Sequence, residues 1–230
     1  MINNNKNKKY DYNIKRTKNK NKKKDPRRHK QEQQFNRLTA IKTTESLIRN
    51  ETNRGLMLGR YQPFHNGHLA LAKEILRECQ ELIVVIGSAQ FNYIEKDPFT
   101  AGERLSMIYR TFLDEKVDVT ICYIVPIMNY TNNAGWLAYL KSMVPPFNVV
   151  YSGNDLVQYL AISQDKKIKI KAPEFVNKQD YNATNIRRLI VDGKPWRHLV
   201  PHAVAAVIDE IGGVERIKLL SRADSNPAQW

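Results

Sequence analysis

Cysteine is scarce in this sequence. The 230 residues include two cysteines, Cys79 and Cys122, and each stands in an apolar pattern within a predicted helix or strand. Two such residues provide neither a disulfide framework nor a cysteine-rich metal site. The sequence therefore fits a reducing compartment, and we expect a cytoplasmic protein.

Long apolar runs are also missing. No stretch approaches the roughly 20 apolar residues that a membrane-spanning helix needs, and the first residues lack the apolar core of a secretory signal peptide. We therefore expect no membrane partner.

Aliphatic and acidic residues are rare at the beginning of the chain. Residues 1–50 contain 16 Lys and Arg but 4 Asp and Glu, so they hold +12 of the net charge of +14. Such a segment cannot bury enough apolar surface to offset the entropy of ordering. We predict a disordered basic arm over 1–52, one domain over 53–221 and a flexible tail over 222–230. The arm could contact nucleic acid non-specifically, although an inert extension explains the same charge.

Beyond the arm, short β-rich runs alternate with helical patterns. The predicted strands are 55–59, 81–87, 118–125, 147–151 and 167–171, and the predicted helices are 67–79, 101–113, 135–143, 183–191 and 201–211. This alternation is typical of an α/β fold, a parallel sheet with helices on both faces. The continuous apolar runs 82–86 and 119–125 predict central strands. Thr100 and Glu103 have the spacing of a capping box that starts the second helix.

Two histidines, His65 and His68, mark the point where the first strand passes into the first helix. Amides at a helix start lack internal partners and carry the positive end of the helix dipole, so an anion binds there readily. Helix caps or a metal-binding pair would give the same spacing. Arg60 beside them favours a phosphate site.

Four polar segments follow predicted strands, at 59–69, 87–90, 129–136 and 152–155. Ligands of open parallel sheets bind beyond the carboxyl ends of the strands. We therefore expect these segments to converge on one site.

The motif GRYQPFHNGH over 59–68 resembles the His-x-Gly-His motif of the nucleotidyltransferase superfamily. Together with the segments 87–90, 98–104, 145–147, 150–154, 181–188 and 213–216, it makes 54–220 similar to archaeal-type nicotinamide-nucleotide adenylyltransferases. The resemblance implies a Rossmann-like nucleotidyltransferase fold. It also implies transfer of AMP from ATP to nicotinamide mononucleotide, with Mg²⁺, giving NAD and pyrophosphate. Members of the family assemble into homo-oligomers.

The resemblance also implies site residues. His65, His68, Arg60 and Arg187 are the expected catalytic residues. ATP is expected to contact these four and Gly59, Tyr61, Gln62, Gly153, Asn154, Tyr181 and Thr184. On the residues alone, Asn182 and Thr184 also suit a simple helix start with Arg187 facing solvent.

The mononucleotide is expected to contact Ser88, Gln90, Lys96, Asn133 and Trp136, with the Trp136 indole stacked on the cationic pyridine ring. A tryptophan at helical spacing with Leu140 is also typical of a core residue. Residues 91–97 are expected to close over the substrates as a lid, and Arg104 to form an ion pair between elements or subunits.

Two other functions stay open at this point. The first is a related adenylyl- or cytidylyltransferase with another phosphorylated acceptor. The second is a nucleic-acid-binding protein that uses the basic arm, with the domain as a scaffold.

Overall fold

The computed structural model describes residues 52–174 and 181–222. The predicted arm, apart from residue 52, and the predicted tail, apart from residue 222, lie outside the described residues. The described strands are β1 (Arg54–Gly59), β2 (Glu81–Ile86), β3 (Cys122–Pro126), β4 (Val149–Tyr151) and β5 (Lys169–Lys171). The described helices are α1 (Asn66–Glu78), α2 (Ala101–Asp114), α3 (Trp136–Met143), α4 (Asp155–Gln164), α5 (Ala183–Val191), α6 (His202–Glu210) and α7 (Gly213–Leu220).

The five strands form one sheet in the order β3-β2-β1-β4-β5. Every pair of neighbours is parallel. The chain passes from β1 to β2 on one side of β1, and it later returns to β4 on the other side. This reversal of direction opens a crevice at the carboxyl ends of β1 and β4, which is where open α/β sheets bind their ligands.

Helices cover both faces of the sheet, as predicted. Side chains of a strand alternate between the two faces, so Met57 and Val84 pack in one buried cluster while Leu56 and Ile83 pack in the other. The first cluster includes residues of α1, α2, α5, α6 and α7. The second includes Leu137 and Leu140 of α3 and is flanked by Val157 of α4.

The second helix starts as the sequence predicts. The Thr100 hydroxyl accepts from the Glu103 amide at 3.2 Å, and the Glu103 carboxylate accepts from the Thr100 amide at 2.8 Å. These two reciprocal bonds satisfy donors that a helix start would otherwise leave without partners. Glu103 also pairs with Arg216 of α7, so the cap connects the two helices.

The prediction that 119–125 is a central strand is wrong. In the described sheet β3 lies at an edge, and its five residues are only partly buried. Residues Val119–Ile121 form a 3₁₀ turn, because the Asp118 carboxylate caps it by accepting from the Thr120 amide at 2.9 Å. A continuous apolar run does not reveal how many neighbours a strand has, and β3 packs against both buried clusters although it lies at an edge.

Two helices, α4 and α7, have no counterpart in the sequence prediction. In α4, Asn154 caps the first turn, but Leu156, Tyr159 and Ile162 are exposed. The apolar positions of α4 therefore do not form a single buried stripe, and the periodicity that reveals α1 and α2 is weak there. Among the described residues, no helix is both long and apolar enough to cross a membrane.

Candidate active site

The junction of β1 and α1 holds the two histidines in a reciprocal capping arrangement. His65 Nδ1 accepts from the His68 amide at 3.3 Å, and His68 Nδ1 accepts from the His65 amide at 3.2 Å. The two rings stack with their centroids 3.5 Å apart. Because each Nδ1 accepts a hydrogen bond, each neutral ring carries its proton on Nε2. The pair therefore caps the helix, which is one of the alternatives that the spacing left open, and the cap leaves two Nε2–H donors for a ligand.

Burial keeps both imidazoles neutral. Burial lowers the pKa of His65 to about 4, against a smaller opposite effect of a backbone hydrogen bond. Burial also lowers the pKa of His68 well below its ordinary value, and the neighbouring His65 lowers it further. At neutral pH the pair therefore provides hydrogen-bond donors without net charge.

Two glycines allow this close arrangement. A Cβ on Gly67 would lie 3.0 Å from Cβ of Tyr181 and 3.2 Å from His65 Nδ1. A Cβ on Gly59 would lie 2.8 Å from the ring of Tyr61. A larger residue at either position would displace these neighbours, because such contacts are closer than van der Waals packing permits.

Two arginines supply the positive charge of the site. The Arg60 guanidinium is half-exposed and lies 3.3 Å from the Asp97 carboxylate, which is almost fully buried. The Arg187 guanidinium donates to the Gln62 carbonyl at 2.7 Å and to the Thr184 hydroxyl at 3.4 Å. Burial lowers the pKa of Arg187, and the nearby Arg60 lowers it further. The Asp97 carboxylate pairs with Arg60, whereas Arg187 binds neutral groups, so the site keeps positive charge that favours binding of an anion.

The second predicted phosphate motif lies opposite the histidines. Asn182 caps α5 by accepting from the Thr184 amide at 2.8 Å, so the prediction that Asn182 starts this helix is confirmed. The Tyr181 ring is nearly parallel to that of His65, with centroids 6.5 Å apart. Arg187 faces the first motif rather than open solvent. Two helix starts therefore direct their amides to the same space.

One cavity of about 630 Å³ connects these groups. All but one of the residues predicted to contact ATP line this cavity: Arg60, Tyr61, Gln62, His65, His68, Gly153, Asn154, Tyr181, Thr184 and Arg187. The exception is Gly59, which lies next to the Tyr61 ring. The side chains of Gln62 and Asn154 also have structural partners. The Gln62 amide exchanges two 2.9 Å hydrogen bonds with the Phe99 main chain, and Asn154 Oδ1 caps α4.

A second cavity of about 190 Å³ adjoins the first, and Leu58 and Asn154 line both. Asn133 and Trp136 line the second cavity. Trp136 is the first residue of α3 and also packs against the core cluster beneath it. The core and ligand interpretations of this tryptophan therefore do not exclude each other.

The other three residues predicted for the mononucleotide lie near this cavity but are not among its described lining residues. The Ser88 hydroxyl donates to Asn129 Oδ1 at 2.9 Å, and Gln90 Oε1 accepts from the main-chain amide of Asn129 at 3.0 Å. Asn129 itself lines the cavity, so Ser88 and Gln90 contact a lining residue. Lys96 is exposed on the 91–97 segment.

Comparisons with known proteins agree with this site. The sequence pattern of the family described as cytidylyltransferase-like matches residues 56–189. The nicotinamide-nucleotide adenylyltransferase of Caldivirga maquilingensis is 44% identical over 178 residues, which are 77% of this chain and 99% of that protein. The Methanococcus maripaludis enzyme of the same name is 44% identical over 74% of this chain and 97% of its own length. The chain belongs to the nicotinamide-nucleotide adenylyltransferase family.

Solved structures of similar fold agree with the predicted Rossmann-like nucleotidyltransferase fold. A bifunctional NMN adenylyltransferase/ADP ribose pyrophosphatase from Francisella tularensis has a TM-score of 0.58 at 19% identity, covering 76% of this chain and 58% of that one. The same protein complexed with AMP and a manganese ion has a TM-score of 0.54 at 18% identity. At these identities the likeness concerns the fold alone.

In this adenylyltransferase domain Arg104 donates hydrogen bonds to the main chain instead of forming the expected ion pair. It is fully buried and binds main-chain carbonyls, with Arg60 and Gly87 at 2.9 Å and Ser88 at 3.2 Å. Arg104 thereby fixes the turns after β1 and β2. A fully buried arginine within a capped helix has no distinguishing sequence signal.

Asp97 is a site residue that sequence reasoning missed. Its carboxylate holds Arg60 and also acts electrostatically on Arg104 and Arg187. The segment between Gln90 and Pro98 has no periodicity, so the buried position of Asp97 could not be inferred. What the sequence does indicate is that Asp97 belongs to the segment 91–97, which is expected to close over the substrates.

Proposed function

We propose that this chain transfers the AMP part of ATP to nicotinamide mononucleotide, forming NAD and pyrophosphate. The observation that carries the proposal is a pair of adjoining cavities that share Leu58 and Asn154 in their linings. One cavity combines two helix starts, two Nε2–H donors and two arginines, which suits the phosphates of ATP. The other cavity has an indole beside it, which suits a pyridine ring.

The reaction needs little acid–base chemistry. A phosphate oxygen of the mononucleotide attacks the α-phosphorus of ATP, and the bond from that phosphorus to the bridging oxygen of the β-phosphate breaks. The attacking oxygen already carries negative charge, so no base has to remove a proton. The protein therefore acts mainly by aligning two anions and stabilising the charge that moves to pyrophosphate.

We assign this stabilisation to His65, His68, Arg60 and Arg187. Neutral Nε2–H groups donate to phosphate oxygens without requiring protonation of a buried ring. The arginines supply the charge, and a guanidinium binds two phosphate oxygens at once. The amides at the start of α1 add their dipoles.

We propose Mg²⁺ as the cofactor, bound together with ATP. The described residues contain no group of three or more His, Cys, Asp or Glu that could hold a metal ion, and no Asp or Glu among them lines the ATP cavity. These residues fit an ion that the substrate phosphates and water hold, as is common for Mg²⁺. When bound, the ion would neutralise charge on the phosphates.

We assign acceptor binding to the cavity beside Trp136. Replacing Trp136 with Ala should raise the Michaelis constant for the mononucleotide about tenfold or more, because the ring loses its stacking surface. The constant for ATP should change less than threefold. Equal increases for both substrates would contradict stacking at this position.

A coupled assay tests the function as a whole. Purified full chain is supplied with ATP, Mg²⁺ and one of three acceptors: nicotinamide mononucleotide, its deamidated acid form or flavin mononucleotide. We expect a dinucleotide with the pyridine acceptors and none with the flavin. Turnover of the flavin alone would point to a transferase with a different acceptor.

Two further proposals concern the surroundings of the enzyme. We propose a cytoplasmic location, supported by two unpaired cysteines.

We also propose a homo-oligomer, because Leu156, Tyr159 and Ile162 of α4 are exposed by 54%, 68% and 50%. Exposed apolar groups of this size on one helix are typical of protein contacts, and light scattering measures the assembly.

A further inference from the structure

Arg216 of α7 contacts both sides of the turn that precedes α2. Its guanidinium carbon lies 4.6 Å from the centre of the Tyr93 ring, and the same group donates to the Pro98 carbonyl at 3.3 Å. Between these two contacts, the Asp97 amide donates to the Ile94 carbonyl at 3.0 Å and the Ile94 amide donates to the Asp97 carbonyl at 3.4 Å. Arg216 therefore holds the turn that carries Asp97.

The guanidinium of Arg216 is itself fixed. Two of its nitrogens donate to the two carboxylate oxygens of Glu103 at 2.8 and 3.0 Å, and both side chains are mostly buried. A bidentate pair of this kind restricts the direction of the guanidinium as well as its position. Because Glu103 belongs to the cap of α2, the turn is held against a rigid helix start.

Tyr93 depends on this contact more than its neighbours do. The residue is half-exposed and has a φ of 52°, in the left-handed region that residues with a side chain rarely adopt. Contacts in the surrounding structure have to offset the cost of such a backbone. The face of the Tyr93 ring over the Arg216 guanidinium provides one.

The turn is connected to the active site through Asp97. The Asp97 carboxylate is buried and lies 3.3 Å from the Arg60 guanidinium, so the direction of Arg60 depends on where the turn lies. Among the described residues, Arg216 does not line the ATP cavity. Any effect of Arg216 on the reaction therefore has to pass through the segment that it holds.

We propose that Arg216 is a positioning residue for AMP transfer. Together with Tyr93 it holds the turn, so that Asp97 keeps the Arg60 guanidinium directed at the phosphates of ATP. The proposal rests on the proposed function and adds to it a residue that touches neither substrate. A turn that moves would let Arg60 point elsewhere, and misalignment of a group that stabilises the transition state lowers kcat.

The first test measures kcat and the Michaelis constant for ATP in Arg216→Lys. Lysine keeps one ion pair with Glu103 but lacks the planar fork that binds two oxygens and lies on the Tyr93 ring. We expect kcat to fall about tenfold and the Michaelis constant for ATP to change less than threefold. An unchanged kcat would overturn the proposal.

Arg110→Lys is the matched control. Arg110 of α2 also binds a carboxylate through two nitrogens, at 2.7 and 2.9 Å to Glu210 of α6, and so also joins α2 to another helix. The substitution is chemically the same, but Arg110 does not line the ATP cavity as described. We expect kcat to stay within about twofold of the wild type. A tenfold decrease here too would show a general effect of weaker helix packing and overturn the specific role of Arg216.

A double variant tests the path through Asp97. We expect Asp97→Asn alone to lower kcat about tenfold. If Arg216 acts through Asp97, the variant with both Arg216→Lys and Asp97→Asn should also be about tenfold slower than the wild type, because the second change removes nothing further. A decrease of about a hundredfold, the product of two independent effects, would contradict the proposal.

Tyr93→Leu provides a second variant at a half-exposed position, where a loss of folding is not expected. Hydrogen exchange over residues 93–98 should be about two- to fivefold faster in Tyr93→Leu, the factor for loss of a partly exposed cation–π contact, and kcat should fall by a similar factor. Tyr93→Phe keeps the ring and should match the wild type in both measurements.

Equal exchange in Tyr93→Leu and the wild type would show that the ring does not hold the turn, and faster exchange with an unchanged kcat would refute the positioning role. If the wild type transfers no AMP to the mononucleotide, the proposed function fails. Hydrogen exchange then still decides whether Arg216 and Tyr93 hold the turn, because it requires no activity.

Discussion

At the scale of single residues, the position of one proton on each histidine decides what the pair can do. Both Nδ1 atoms accept main-chain hydrogen bonds, so the Nε2–H groups are available to phosphate. The sequence predicts the pair and its place at a helix start. It does not predict the tautomer, which depends on the reciprocal cap.

Removing one of these donors should slow the transfer step. We expect His68→Ala to lower kcat by about a hundredfold to a thousandfold, because one donor to the transition-state charge is lost. The Michaelis constant for the mononucleotide should change little. His202→Ala is the control, since His202 is an exposed residue of α6. An unchanged kcat in His68→Ala, measured by steady-state kinetics, would refute the assigned role.

Asp97 should matter through Arg60, whose guanidinium it holds at 3.3 Å. In Asp97→Asn the arginine loses its buried counter-ion and its fixed position, so we expect kcat to fall about tenfold. The Michaelis constant for ATP should stay the same or decrease, because a negative charge near the phosphates is also removed.

Asp192→Asn provides the control for Asp97→Asn, since Asp192 pairs with Lys194 and takes no part in the site. A higher Michaelis constant for ATP with an unchanged kcat would show instead that Asp97 assists ground-state binding.

At the scale of elements, the cap of α1 links stability to pH. His65 has a pKa of about 4 in the folded chain, below the ordinary value of about 6.5 for an unfolded one. The unfolded chain therefore binds the proton first as the pH falls. The stabilisation is complete above pH 6.5 and is lost between about pH 6.5 and 4. Its size for His65 is about 3 kcal/mol.

His65→Asn should remove this dependence while keeping the cap, because Asn is among the best N-cap residues and does not titrate. We expect similar urea midpoints for wild type and variant at pH 7.5. As the pH is lowered to 4.5, the midpoint of the variant should fall less. Parallel decreases would contradict the assigned pKa.

The elements also show where sequence patterns succeed and fail. Helices α1 and α2 bury one face each and have side-chain caps, so periodicity and capping residues predict them to within a residue or two. Helix α4 exposes Leu156, Tyr159 and Ile162 and therefore lacks a clear apolar stripe. The edge position of β3 depends on strand order, which no local pattern contains.

At the scale of the whole molecule, the sheet order brings together segments that are far apart in sequence. Residues 59–68 follow β1, 152–155 follow β4 and 181–187 open α5, and they meet at one cavity. The rule that ligands bind at strand ends predicts the meeting of the first two segments, and the family resemblance implies the third. It does not predict the buried contacts of Asp97 and Arg104, which arise only from the packed fold.

Most of the net positive charge of the chain belongs to the basic arm. Residues 1–50 carry a net charge of +12 out of +14, so most of the charge that would attract nucleic acid belongs to a segment outside the described residues. We propose that the arm contacts nucleic acid non-specifically. A chain that begins at residue 51 should keep its kcat/KM within about twofold and lose salt-sensitive binding to RNA. Loss of transferase activity would instead make the arm part of the site.

The most direct test of the central claim follows the phosphorus atoms of ATP. The full chain is incubated with Mg²⁺, nicotinamide mononucleotide and ATP labelled at either the α- or the γ-phosphate, and the products are separated. We predict that the α-label enters NAD and the γ-label enters pyrophosphate, in equal amounts. Release of the α-label as free AMP, or the absence of labelled NAD, would contradict the proposed transfer.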